Sequence, residues 1–134
     1  MSNDLSWMLD GALEIPGALH AVLVSADGLP MFRTKELDRD SADKVAAAMS
    51  GVQSLSRSLG FFCGDTSQRW RQTLVEFDGG WIFLISAGES AYLAVAASPE
   101  VDMGAITFRM QQLVGQLGKE LKASRRETSA IAHD

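Results

Sequence analysis

Apolar residues recur along the chain in two alternating rhythms. Leu5, Met8, Leu9, Ala12 and Leu13 stand at i, i+3, i+4, i+7 and i+8. That is the spacing of one apolar helix face, and Pro16-Gly17 ends the segment. In "HAVLVSADGLPMFRT" (20–34) two apolar runs flank Asp27-Gly28, which predicts strands over 20–26 and 30–35 joined by a tight turn. A long helical pattern follows, with Asp40 or Ser41 as its N-cap. Ala42, Val45, Ala46, Met49, Val52, Leu55 and Leu59 lie on its sheet-facing side. Gly60 and Gly64 bracket its end, and Phe61 and Phe62 are expected to pack back into the core.

Three strand-like runs come next: "RWRQTLVEF" (69–77), "WIFLIS" (81–86) and "AYLAVAAS" (91–98). Asp78-Gly79-Gly80 and Gly88-Glu89-Ser90 supply the turns between them. The middle run is apolar almost throughout, so it belongs at the centre of a sheet covered on both faces. Met103, Ile106, Met110, Leu113, Val114, Leu117 and Leu121 then mark a last helix. From Ala123 the chain turns polar and aperiodic, as terminal tails do.

The predicted order is α-β-β-α-β-β-β-α. Short links between successive strands make them antiparallel, and helices on both faces bury the sheet. The expected fold is an α/β, three-layer α/β/α sandwich on a five-stranded antiparallel sheet. One domain spans residues 1–122, with a flexible polar tail over 123–134.

Composition narrows the possibilities. The chain has 134 residues, 46% hydrophobic and 22% charged, enough for one core without staples. Its single cysteine, Cys63, excludes an internal disulfide and suits a reducing, cytoplasmic setting. Cys63 itself reads as a small buried hydrophobe at a helix end. Asp4, Asp10 and Glu14 interrupt the first segment, which has no signal-peptide pattern. No apolar stretch is long enough for a transmembrane segment. The net charge is −5, and the densest basic spots are the pairs Arg69/Arg71 and Arg125/Arg126. Nucleic-acid binding needs a larger basic footprint.

Candidate chemistry is sparse. His20 and His133, the two histidines, have no carboxylate or cysteine at metal-ligand spacing. "GESAY" (88–92) starts like a nucleophile elbow, but Tyr92 replaces its second glycine and the context is a strand-to-strand turn. No glycine-rich phosphate loop is present. The expectation is therefore no catalytic residues, no metal and no cofactor.

The long middle helix is more informative. At about 100° per residue, with Ala42 at zero, its larger apolar positions spread over roughly 220° to 40°. Ala47, Gly51, Ser54 and Ser58 fall between about 120° and 180° on the opposite side. Glycine and serine are poor choices for a solvated helix face, whereas small residues let a second helix approach closely. Arg69, Arg71, Gln72 and Glu76 break the pattern of the third strand, as edge strands do. An arginine finger for phosphoryl transfer is the less favoured use of those arginines.

Together, "ADGLPMF", the helix "SADKVAAAMSGVQSLSRSLG", "FDGGWIFLI" and the element order resemble the roadblock/dynein-light-chain domain over about residues 3–122. The likeness is greatest to short stand-alone bacterial members, often encoded with a small Ras-like GTPase and sometimes with a histidine-kinase-like sensor. The resemblance implies a homodimer in which the second helices pack together and the third strands pair into a ten-stranded sheet. Ala47, Gly51, Ser54 and Ser58, with Trp70, Gln72 and Leu74, would then form the dimer interface. It further implies a non-catalytic regulator or adaptor of a Ras-like GTPase that stimulates hydrolysis or only scaffolds, and it carries over no catalytic residue. Asp27-Gly28 is on this reading a structural turn. The alternative is a small-ligand sensory module of profilin-like fold, against which stands the lack of a convergent polar set on the apolar faces.

Overall fold

A computed structural model describes residues 5–64, 68–88 and 90–132, with side chains as far as 123. Helix α1 (Ser6–Leu9) runs on into a 3-10 turn, Asp10–Glu14. Strands β1 (Ala18–Ser25) and β2 (Pro30–Arg33) form the first hairpin, followed by α2 (Arg39–Arg57). A second 3-10 turn, Gly60–Cys63, precedes β3 (Gln72–Phe77), β4 (Gly80–Ser86) and β5 (Ala91–Ala97). Helix α3 (Met103–Ala132) ends the described chain. The five strands form one sheet in the order β2-β1-β5-β4-β3, every pair antiparallel.

Alternation along the strands sends side chains into two separate cores. On one face Ala21, Leu23, Phe83, Ile85, Leu93 and Val95 pack with Leu5, Met8, Leu9 and Ala12 from the first segment. Ile106, Met110, Leu113 and Leu117 of α3 complete that cluster. On the other face Val22, Val24, Leu84 and Ala94 meet Ala46 and Met49 of α2. The three-layer sandwich is the architecture that the hydrophobic pattern predicts. Strand β4 lies inside the sheet between β5 and β3, as its unbroken apolar run requires.

The first hairpin turns on Asp27-Gly28. Gly28 takes φ +83°, a conformation that glycine adopts without strain, and its amide donates to the Ser25 carbonyl at 2.9 Å. Buried Thr34 fastens the far end of β2, its Oγ1 accepting from the Ala21 amide at 3.0 Å. Arg109 ties α3 to the first segment, with Nε donating to the Gly11 carbonyl and the guanidinium 3.5 Å from Glu14.

Several boundaries differ from expectation. The α2 N-cap is Asp38, two residues before the predicted Asp40: its Oδ2 accepts from the Ser41 amide at 3.2 Å. Hydrogen bonding from Ser41, first its hydroxyl and then its amide, holds the Asp38 carboxyl below its ordinary value. Strand β3 starts at Gln72, not at Arg69. Phe61 and Phe62 do not pack into the core. They are 58% and 85% exposed, because the 3-10 turn after α2 stays on the surface. Cys63, in the same turn, is exposed and not buried.

Helical backbone continues past Lys122 to Ala132, through the stretch read as a polar tail. Alanine, arginine and glutamate are good helix formers, so losing the apolar period does not end a helix. Glu89, in the turn before β5, His133 and the Arg125/Arg126 side chains lie outside the described residues.

Candidate interaction surface

Helix α2 rests on the sheet through a narrow stripe: Ala42, Ala46, Met49 and Gln53 are its buried residues. The opposite side carries Ala47, Gly51, Ser54 and Ser58, all exposed. A Cβ built on Gly51 would meet nothing within 4 Å. The Ser58 hydroxyl donates back to the Leu55 carbonyl at 2.6 Å, so its polarity is spent within its own helix.

Two leucines join this face. Leu55 and Leu59, expected against the sheet, are 70% and 56% exposed. On the helical wheel they fall at roughly 220° and 260°, bordering Gly51 at about 180°. Ala42, Ala46, Met49 and Gln53 form the centre of the sheet-facing stripe and Val45 and Val52 flank it, so the leucines lie beyond its margin. From Ala47 to Leu59, the sector between about 120° and 260° contains no charged side chain. Phe61 and Phe62 extend the apolar surface beyond the helix end.

Strand β3 supplies the adjoining edge, since it pairs with β4 alone. Its register places Gln72 and Leu74 opposite Ile85 and Phe83, on the α3 face. Thr73 and Val75, opposite Leu84 and Ile82, share the face of α2. A hydroxyl relay fixes the two elements together: Trp70 Nε1 donates to Thr73 Oγ1 at 2.8 Å, and Thr73 Oγ1 donates to Ser56 Oγ at 2.9 Å. Trp70 precedes β3 and is turned inward, its ring packed edge-on against Tyr92 at 5.8 Å between centroids. The structure thus brings the small-residue face of α2 to the same flank as the β3 edge. Of the strand positions singled out from sequence, Gln72 and Leu74 contribute backbone to that edge while their side chains point to the far face.

Little here resembles a catalytic centre. Among the described residues no group of His, Cys, Asp and Glu could hold a metal ion. His20 lies on β1, half-buried, with Nδ1 lacking a hydrogen-bond partner among the described residues. No helix of the described residues is long and apolar enough to cross a membrane.

The model of the Roadblock/LC7 domain family matches residues 5–97, more than half of the chain and every strand of the sheet. The chain belongs to the Roadblock/LC7 family. A Roadblock/LC7 domain from Streptomyces avermitilis superimposes with a TM-score of 0.84 at 39% identity, covering 90% of this chain and 99% of that one. MglB from Myxococcus xanthus shares the fold at 14% identity, with a TM-score of 0.78 over 88% of this chain and 94% of that one. The gliding protein MglB from Thermus thermophilus does so at 18% identity and a TM-score of 0.77, over 87% of each chain. The curated proteins give no match. In this Roadblock/LC7 domain the exposed small-residue face of α2 lies beside one of the two free sheet edges, that of β3.

Proposed function

We propose that the protein is a non-catalytic, homodimeric regulator or adaptor of a small Ras-like GTPase in cytoplasmic signalling. The observation that carries the reading is the juxtaposition of the uncharged Ala47–Leu59 stretch of the outer α2 face with the free edge of β3. Two such flanks related by a twofold axis would satisfy each other: strand edge to strand edge, and small-residue stripe to small-residue stripe. Leu55 and Leu59 add apolar surface to that contact, and Ala47, Gly51, Ser54 and Ser58 let the helix backbones approach. The paired helices would then present one composite surface to the GTPase, acting by favouring one of its conformations. A histidine-kinase-like sensor is a further partner on this reading.

The test is single-turnover GTP hydrolysis by the Ras-like GTPase encoded nearest the gene, titrated with the protein. Concentration-dependent acceleration makes it an activator. Co-elution without acceleration makes it an adaptor. Absence of binding in both nucleotide states refutes that GTPase as its partner.

A further inference from the structure

At the end of the sheet where β4 turns into β5, a cleft of about 490 Å³ opens beside the C-terminal half of α2. Its size falls among small-molecule sites. Gln53, at the centre of the buried stripe of α2, lines it. This side chain is only 6% exposed, and its amide has no hydrogen-bond partner among the described residues. The body of the side chain is packed in the stripe while its amide end reaches the open cleft, where it can pair with a ligand. The Tyr92 hydroxyl, also on the cleft, likewise has no partner among the described residues.

Around these two groups stand Arg57, Arg69 and Lys122. None of the three forms an ion pair among the described residues, and the cleft lining includes no described carboxylate. Three cations converge in a chain whose net charge is −5, a local reversal of sign that an anion would relieve. Trp70 adds an aromatic wall. The chain therefore does hold a convergent polar set, which periodicity alone does not reveal because its members come from four separate segments.

We infer that this cleft binds a nucleoside mono- or diphosphate. The Gln53 amide, a donor and an acceptor side by side, matches the hydrogen-bonding edge of a nucleobase. Arg57, Arg69 and Lys122 take the phosphate, the arginines through paired N–H donors. The site lies within one chain and goes beyond the partner reading above. Its test needs no GTPase, so either can fail alone.

The experiment is calorimetric titration and thermal melting of the full chain with adenine, guanine, cytosine and uracil nucleotides. Inorganic phosphate and the free nucleosides serve as controls. At least one nucleotide should raise Tm and bind more tightly than inorganic phosphate. The double variant Arg57→Gln/Arg69→Gln should weaken binding by about tenfold or more, as lost charge-assisted hydrogen bonds do, with the ligand-free Tm unchanged. Gln53→Leu should erase discrimination between bases. The inference is overturned if no nucleotide binds at millimolar concentration, or if inorganic phosphate binds as well as the nucleotides. Equal binding by the arginine variant overturns it too, as does base discrimination that survives in Gln53→Leu.

Discussion

Placing a carboxylate on the outer face of α2 separates the fold from the assembly. Ala47→Glu and Gly51→Glu both project from exposed positions, and the space beyond Gly51 is open within the chain. Replacing a mid-helix glycine even favours the isolated helix by up to about 1 kcal/mol. Circular dichroism and Tm, extrapolated to low protein concentration, should therefore match or exceed those of the parent for Gly51→Glu and stay close to them for Ala47→Glu. Association should respond in the opposite sense. A twofold contact repeats each substitution on both copies, so the new carboxylates meet a surface with no counter-charge in the sector from Ala47 to Leu59. Burying an unpaired carboxylate costs several kcal/mol. A loss of about 3 kcal/mol raises the dimer Kd by roughly a hundredfold. Sedimentation equilibrium over a wide concentration range reads that shift directly. Gly51→Ala serves as a milder control, since it helps the helix but thickens the contact. Unchanged dimer Kd in both glutamate variants, or a parent protein monomeric at all concentrations, would refute the assignment of this face.

Other consequences follow from the caps and the core. Asp38→Ala removes the α2 N-cap acceptor and should lower Tm at neutral pH. Because the folded carboxyl titrates below its ordinary value of 3.8, its stabilisation is fully present above that value and disappears as pH falls through the lowered one. The Tm gap between parent and variant should close over that acidic range, and a gap independent of pH would count against the cap. Leu113→Ala, in the cluster between α3 and the sheet, should cost about 2–5 kcal/mol in denaturant unfolding. A loss under about 1 kcal/mol would mean that α3 is not seated on the sheet as described.

Element order and layering are legible in the sequence because periodicity distinguishes a helix face from a strand. The Asp27-Gly28 turn is legible because its chemistry is local. What periodicity does not reveal is which of two apolar surfaces meets the chain's own sheet. Leu55 and Leu59 carry the helical spacing of core residues, yet α2 seats itself on Ala42, Ala46 and Met49 and leaves them outside. Phe61 and Phe62 fail as core predictions for a related reason: hydrophobicity marks them for burial without saying by whom. Gln53 is the converse case, a polar residue at the centre of the buried stripe, where the wheel gives its direction but its polarity argues for the surface. Trp70, read as an edge residue, turns inward because its indole N–H finds Thr73 and its ring finds Tyr92.

The two borders of the sheet are unlike. β2 is four residues long and begins with Pro30, which has no amide hydrogen to offer, whereas β3 runs six residues without proline. Fibrous growth requires every unit to remain adhesive on both sides after it has been added. Here one strand is able to template a neighbour and the other is blunted, so the first addition consumes the receptive border of both participants. A unit joined through β3 would terminate its own polymerisation, so that exposed apolar surface beside a free strand leads to a discrete, finite particle.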